Sequence, residues 1–137
     1  MSRREVRKEA FKLLFASTFN ANFNTSTNNN INNIKNKFVK DILDGVNKNI
    51  IIIDDLIKRN IRNWKFERVS RIAKSAMRMA TYEIIKEDLP IAIIINEAVE
   101  IAKIFGSEEE ANYVQGVLTS ISSFYKEYIQ ESNLIIK

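Results

Sequence analysis

Apolar side chains recur at three- and four-residue intervals along most of the chain, which is the spacing of helices that bury one face. The first such stretch covers residues 2–20, with Ser2 as a candidate N-cap. Its inward stripe consists of Val6, Ala10, Leu13 and Leu14. The same spacing returns in five later stretches, at 38–46, 50–61, 69–84, 91–105 and 108–132. With no alternating strand pattern, the sequence predicts an all-α fold, a compact bundle of about six to seven helices.

One stretch shows most clearly where a helix ends and the next begins. Pro90 suits a first helical turn, because the N–H that it lacks would have no partner there. Gly106 can adopt the left-handed conformation that often ends a helix. Ser107, followed three residues later by Glu110, has the spacing of a capping box. We therefore predict that one helix ends at Phe105 and that another begins after Ser107.

Gly116 lies in the middle of the last predicted helix, three residues after Tyr113 and on the same side. A glycine inside a helix costs roughly 0.5–1 kcal/mol relative to alanine, so something should need the space. Either a neighbouring helix packs against this position, or the backbone of a ligand approaches it while the Tyr113 ring stacks beside. From spacing alone, packing against a helix is favoured.

The polar segments of the chain predict connections and solvated positions rather than chemistry. Residues 20–36 are rich in asparagine, which favours turns over helix interiors, and we interpret them as a connection. Trp64 stands at the join between the third and fourth helices. We expect Asp54 and Asp55, adjacent on the third helix, to face the solvent. Two carboxylates without a histidine or a third ligand are weak evidence for a metal.

The composition excludes most kinds of catalytic and metal centre. The 137 residues include no cysteine and no histidine, so there is no thiolate and none of the commonest neutral-pH base or metal ligand. We therefore expect no enzyme activity, no catalytic residue, no metal and no cofactor. At this length we expect one domain over residues 1–137. No apolar run approaches the ~18 residues of a membrane span and the amino end lacks a signal region, so we expect a cytoplasmic protein.

Charge is distributed unevenly along the chain. The net charge is +4 at neutral pH. Basic residues are concentrated in residues 1–20 and 54–74, whereas residues 78–110 are acidic. Such an arrangement suits a polyanion on one side and a basic partner on another, although solvated helix faces would also explain it.

The first helix carries a row of cations at four-residue spacing, Arg4, Lys8 and Lys12, which Phe15 and Phe19 continue. Cations followed by aromatic rings suit single-stranded nucleic acid, which needs both phosphate contacts and stacking surfaces. Alternatively, the two rings widen the core face of the helix. For Phe19 this second interpretation is favoured.

Several short sequence words occur along the chain in a characteristic order and spacing. They are RREVRKEAFKLLF at 3–15, the segment from Phe38 to Val46, AMRMATYEI at 76–84, Pro90, INEAVEIAKIFGSEE at 95–109 and YVQGVL at 113–118. Together they resemble the transcription antitermination factor NusB family over nearly the whole chain. The resemblance implies a NusB-like all-helical fold of two subdomains and a function in RNA binding.

The resemblance also implies partners. Members of the family bind the boxA element of nascent, single-stranded RNA together with the ribosomal protein that serves as NusE. That pair helps RNA polymerase enter a termination-resistant complex, notably on ribosomal RNA operons. A homodimer is an open alternative to a monomer, and it could cover arginines that would otherwise meet RNA.

By position, the resemblance assigns RNA binding to the amino end and to the start of the last helix. The residues are Arg3, Arg4, Arg7, Lys8, Phe15, Glu109 and Tyr113. The cations would neutralise phosphates, the rings would stack on bases and Glu109 would accept hydrogen bonds from base edges. Glu67 is assigned to the NusE contact, while Ala73 replaces a second, commonly acidic position. We expect the RNA-binding side chains to share one open, solvent-facing patch.

Two other functions stay open on the sequence. The same helical domain occurs as an RNA-binding appendage of ribosomal RNA methyltransferases, although no cofactor-binding βαβ pattern follows here. The chain could also be a protein–protein adaptor with a merely solvated basic helix. Binding of boxA RNA, compared with a scrambled RNA of equal length, separates the three.

Overall fold

The structure is a computed structural model, and it describes residues 2–19, 34–62 and 65–132. Six α-helices form most of this part of the chain. They are α1 (Arg3–Ser17), α2 (Lys37–Lys48), α3 (Ile50–Asn60), α4 (Arg71–Lys86), α5 (Ile91–Phe105) and α6 (Glu108–Ser132). A one-turn 3₁₀ helix, Phe66–Arg68, precedes α4. These ranges contain no strand, so the predicted all-α class is confirmed. None of these helices combines the length and apolarity needed to cross a membrane.

Helix α1 begins at Ser2, as the sequence predicts. The Ser2 hydroxyl accepts a hydrogen bond from the Glu5 N–H at 3.2 Å, and the Glu5 carboxylate accepts one from the Ser2 N–H at 3.2 Å. This is a capping box, which satisfies two N–H groups that have no partner inside the helix. The face that α1 buries consists of Val6, Arg7, Ala10, Phe11, Leu14 and Ser17.

Helix α4 lies at the centre of the bundle and contacts each of the other five helices of the described chain. Ala73, Ala76 and Ala80 are almost completely buried along it. Their small side chains let neighbouring backbones approach closely, so that one helix can serve as the core element for several others. Met77 and Met79, whose flexible side chains suit irregular core space, are also fully buried on this helix.

Gly45 near the end of α2 makes a close approach of this kind possible. A Cβ atom at this position would overlap the ring of Tyr82 on α4. The tyrosine is itself buried. Glycine is therefore required here because it has no side chain. The sequence pattern alone does not reveal this reason.

Helices α1 and α4 run antiparallel. Arg7 in the first half of α1 pairs with Glu83 near the end of α4. Phe19, just after α1, lies beneath the guanidinium group of Arg71 at the start of α4. The end of α1 and the start of α4 therefore meet at one end of the bundle.

Helices α4 and α6 run parallel, which brings a third helix end to the same place. Ser70, before α4, donates a hydrogen bond to Glu110 in the first turn of α6 at 2.7 Å. Glu87, after α4, accepts one from Tyr125 far along α6. The ends that meet are thus the end of α1, the start of α4 and the start of α6.

Two local predictions in this part of the chain are wrong, those for Asp54 and for Gly106. Asp54 does not simply face solvent, because Arg78 donates two hydrogen bonds to it at 2.8 and 2.9 Å. Asp55 does face solvent with 42% of its side chain, and it also accepts a hydrogen bond from Tyr128 at 2.7 Å. Gly106 ends α5 at φ −126°, not in the left-handed region, and its N–H bonds to the Ala102 carbonyl at 2.9 Å.

Pro90 occupies the N-cap of α5, one residue before the first turn in which it was expected. The helix start after Ser107 is as predicted. Trp64 and residues 20–33 of the asparagine-rich connection lie outside the described residues.

Candidate nucleic-acid interface

The three arginines near the amino end do not share one open patch. Arg7 is only 4% exposed, and its guanidinium group donates to both carboxylate oxygens of Glu83, at 3.0 and 3.2 Å. Its expected place on a solvent-facing patch is therefore wrong. The reason is geometric, because Arg7 lies between Val6 and Ala10 on the face that α1 buries.

The Arg7–Glu83 pair fixes α1 on α4 rather than offering a charge to a ligand. Burial raises the pKa of Glu83 above its ordinary value, and the attraction of Arg7 limits that rise. Removing one partner of such a pair leaves the other charge buried and unpaired, which is strongly destabilising. A phosphate would have to displace Glu83 in order to reach Arg7.

Arg3 and Arg4 are exposed but turn toward different neighbours. Arg4 donates to both oxygens of Glu97 on α5, at 3.1 and 3.2 Å, and half of its side chain stays in solvent. Arg3 lines a cavity of about 470 Å³ between α1, α2 and the end of α4, with Phe38 and Lys86 also in its wall. Both arginines lie at the amino end of α1, away from Tyr113.

A row of aromatic rings runs along the other half of α1. Phe15 stacks on the buried Phe11 at 6.0 Å between ring centroids and meets Phe19 edge-to-face at 5.2 Å. Phe19 is 59% exposed, so its favoured assignment to the core is wrong. Arg71 covers the Phe19 ring at 4.4 Å, a cation–π distance. Phe15 is half-buried and is packed against the core.

Cations accompany these rings along α1. Lys12 is exposed and lies over the ring of Phe105 at 6.0 Å, and Phe105 stacks on Phe11 at 4.9 Å. Lys8 is half-buried, one turn earlier on the same side. The predicted combination of cations and rings thus exists, but it is centred on the carboxyl half of α1.

Tyr113 lines a groove between the start of α4 and the start of α6. The groove has a volume of about 240 Å³, and its walls include Arg68, Ser70, Ala73 and Glu109. The Tyr113 ring is half-buried, and its hydroxyl oxygen is buried without a hydrogen-bond partner among the described residues. Burial also raises the pKa of this phenol. An aromatic face beside acceptors and a guanidinium group can receive one unstacked base.

One carboxylate connects the two walls of this groove. Glu110 accepts hydrogen bonds from the Ser107 hydroxyl at 3.2 Å and from the Ser70 hydroxyl at 2.7 Å. The Ser107 hydroxyl accepts from the Glu110 N–H at 3.1 Å, which is half of the predicted capping box. The Glu110 side chain turns toward α4 instead of closing the other half. Glu109 is exposed at the rim of the groove.

Gly116 continues the rim one turn beyond Tyr113. Among the described residues, no atom outside the helix lies within 4 Å of the place where a Cβ would be. The favoured explanation, packing against a helix, is therefore wrong for this part of the chain. The backbone at Gly116 is therefore exposed, three residues after Tyr113 on α6.

The structure thus joins the two halves of the interface through α4. Ser70 lines the Tyr113 groove, and the next residue, Arg71, covers Phe19 at the end of α1. Arg68, which lines the groove, and Arg71, which covers Phe19, are candidate interface residues that the sequence pattern did not single out. Both arginines belong to the basic stretch of residues 54–74, which was visible in the sequence. Only the fold shows that the end of this stretch lies next to the aromatic rings of α1.

Two further predictions concern Glu67 and metals. Glu67 is exposed in the 3₁₀ helix, next to the groove residue Arg68. Its assignment to a partner contact stays a prediction. Within residues 2–19, 34–62 and 65–132, no group of three or more carboxylates is arranged to hold a metal ion.

Comparisons with known proteins give a consistent result. A sequence model of the NusB family matches residues 4–123. Transcription antitermination protein NusB of Sulfurimonas denitrificans is 42% identical over 92 residues, which is 65% of this chain and 70% of that protein. Its counterpart in Fusobacterium nucleatum is 39% identical over 90 residues, which is 66% of this chain and 59% of that protein.

Solved structures show the same fold. NusB of T. maritima matches with a TM-score of 0.75 and 32% identity over 90% of this chain and 92% of that one. A chain in the crystal structure of antitermination factors NusB and NusE in complex with dsRNA matches with a TM-score of 0.74. That match covers 90% of this chain and 97% of the other, but at 22% identity it shows the fold alone.

Proposed function

The chain belongs to the NusB family, and from this membership we propose that it is an RNA-binding transcription antitermination factor. It binds the boxA element of nascent ribosomal RNA as a single strand, together with the NusE ribosomal protein. The pair then acts within an antitermination complex with RNA polymerase. The function is binding, not catalysis, and it takes place in the cytoplasm, where nascent transcripts meet ribosomal proteins.

The observation that carries this proposal is the meeting of rings and cations where α1, α4 and α6 come together. Phe19 and Tyr113 belong to opposite ends of the chain, yet the adjacent residues Arg71 and Ser70 link their surroundings. Stacking faces flanked by cations are what unpaired bases and their phosphates require. The relatives named above are antitermination proteins, which supports the same conclusion.

Each side chain then has a defined part in RNA binding. Lys8, Lys12, Arg68 and Arg71 neutralise phosphates along the path from α1 to the groove. Phe15, Phe19 and Tyr113 offer their faces to bases, and Glu109 accepts hydrogen bonds from a base edge. Arg3 and Arg4 make outlying phosphate contacts, for which Arg4 exchanges its exposed ion pair with Glu97. Arg7 holds α1 in place through Glu83.

The ribosomal partner contacts the neighbouring 3₁₀ helix. Glu67 supplies an exposed carboxylate there, which suits a basic protein such as a ribosomal protein. Because RNA and partner bind adjacent surfaces, each should raise the affinity for the other by the same factor. Calorimetric titration of RNA with and without the partner, and of partner with and without RNA, measures both factors.

Titration of the protein with a boxA RNA and with a scrambled RNA of equal length tests the proposed function. We expect tighter binding of boxA RNA, with a logarithmic salt slope of about −3 to −4 if four to six phosphates are contacted. Equal affinity for the two RNAs would contradict the proposed recognition of boxA. Salt-independent binding would contradict the phosphate contacts.

Truncation of the groove ring tests the proposed site. Tyr113→Ala should weaken boxA binding by ~1–3 kcal/mol, the range for the loss of one stacked base, while the helical spectrum stays unchanged. Phe124→Ala on the outer face of α6 is the matched control, because it removes an exposed ring from the same helix. If both variants bind boxA RNA as the wild type does, the ring belongs only to the protein's own packing.

A further inference from the structure

Three cations surround the ring of Phe66 in the 3₁₀ helix. The ammonium nitrogens of Lys74 and Lys58 lie 4.3 and 5.1 Å from the ring centroid, and the guanidinium carbon of Arg78 lies 5.6 Å from it. The three side chains come from two helices, α3 and α4. Cations gather on an aromatic face because of the ring's quadrupole, but the ring does not neutralise their charge.

This cluster carries more positive than negative charge. Arg78 is neutralised by Asp54, at 2.8 Å. Neither Lys58 nor Lys74 forms a salt bridge within the described residues. The pKa of Lys74 is lowered, first by burial and then by the charge of Arg78, although Asp54 and Glu67 oppose that change. Two ammonium groups are thus held in place beside an apolar ring with unmatched charge, which favours an anionic ligand.

The cluster continues the interface already described. Arg71, Lys74 and Arg78 follow one another on α4 at three- and four-residue intervals, which places them on one side of the helix. Arg71 covers Phe19, and Lys74 and Arg78 cover Phe66. Over seven residues the helix rises by about 10 Å, so the row leads from the end of α1 to the Phe66 ring.

We propose that the sugar–phosphate backbone of the bound RNA extends along a cationic track consisting of Arg71, Lys74 and Lys58, beyond the bases held by α1 and the Tyr113 groove. The inference deepens the proposed function and rests on it. RNA is the occupant, because the track begins within the candidate nucleic-acid interface and repeats its combination of cations with a half-buried aromatic ring. The contacts are to phosphates, so they add affinity without reading sequence.

RNAs of two lengths, together with charge variants, test the track. A short boxA RNA covers the α1–Tyr113 interface, and a longer one adds about six unstructured nucleotides on each side, within the range that such surfaces engage. The variant Lys58→Gln/Lys74→Gln removes both charges and keeps most of each side chain. Lys37→Gln/Lys40→Gln is the matched control, because these exposed lysines begin α2 near the opposite end of α4.

We expect the longer RNA to bind wild type more tightly and the Lys58→Gln/Lys74→Gln variant to lose that gain. Loss of two phosphate contacts reduces the logarithmic salt slope by about 1.4, so that a fourfold rise in salt weakens binding about sevenfold less than in wild type. Lys58→Arg/Lys74→Arg should restore the gain. The control pair should bind both RNAs as wild type does.

Several outcomes would overturn the inference. The track is contradicted if the longer RNA binds wild type no more tightly than the short RNA. It is also contradicted if the Lys58→Gln/Lys74→Gln variant keeps the higher affinity for the longer RNA. If Lys58→Gln/Lys74→Gln weakens only binding of the ribosomal partner, the surface belongs to a protein. Binding of the short RNA by wild type separates the two levels of the proposal, because its absence contradicts the proposed function itself.

Discussion

The hydroxyl group of Tyr113 gives the sharpest test of how the groove is built. Its oxygen is buried and has no hydrogen-bond partner among the described residues, although the ring around it is only half-buried. A buried hydroxyl without a partner costs roughly 1–3 kcal/mol relative to its hydrated state in the unfolded chain. Tyr113→Phe removes that cost but also a few dispersion contacts of the oxygen. We expect the free energy of unfolding to rise by about 1 kcal/mol.

Tyr128→Phe is the matched control, because it removes a hydroxyl that has a partner. Tyr128 donates to Asp55 at 2.7 Å, and this hydrogen bond is the largest cause of the lowered pKa of Asp55. Its loss should reduce the free energy of unfolding by about 1 kcal/mol, since Asp55 stays partly solvated. The same chemical change at two positions should therefore shift stability in opposite directions.

Denaturant unfolding followed by circular dichroism measures both effects, with unchanged slopes as the check that compactness is preserved. For a chain of this size, 1 kcal/mol corresponds to a change in melting temperature of about 3–5 °C. Loss of stability in Tyr113→Phe would refute the reasoning, because the hydroxyl would then have a partner in the folded protein. Binding of boxA RNA should change little in this variant, since the ring that stacks is kept.

Three further outcomes follow from single positions. Gly45→Ala should destabilise the fold by about 1–3 kcal/mol in chemical denaturation, because the added Cβ overlaps the Tyr82 ring. Gly116→Ala should do the reverse, raising the free energy of unfolding by roughly 0.5–1 kcal/mol, and a decrease would show that the site is packed. Burial and the hydrogen bond to Glu87 raise the pKa of Tyr125 to about 12 from an ordinary 10.0. The free energy of unfolding that un-ionised Tyr125 contributes is complete below pH 10 and is lost as the pH rises toward 12. Tyrosinate absorbance, compared between wild type and Tyr125→Phe, measures the raised pKa.

The helices were predictable from sequence because the information that specifies them is local. The apolar spacing and the Ser2 and Ser107 caps lie within a few residues of the structures that they determine. The burial of Arg7 was also partly readable, since it follows Val6 on the inward face and lies one turn before Ala10 and Phe11. A basic residue on such a face needs a buried partner, and nothing local identified Glu83, which lies 76 residues away.

The interface was less predictable because it is assembled from distant segments. The pairing of Arg71 with Phe19 depends on the antiparallel arrangement of α1 and α4. The partners of Asp54 and Asp55 lie 24 and 73 residues further along the chain. Gly116 could be interpreted in two ways until the space around it was visible, because spacing describes a residue's direction and not what lies there.

The double hydrogen bond of Glu110 has a consequence for how a ligand arrives. By holding Ser70 and Ser107 together, one side chain sets the separation of two helix starts in the free protein. An incoming base therefore meets a preorganised slot, and little conformational entropy is spent on shaping the receptor. Most of the entropy lost on association is then lost by the flexible RNA. A more rigid RNA, rather than a more rigid protein, should therefore bind more tightly.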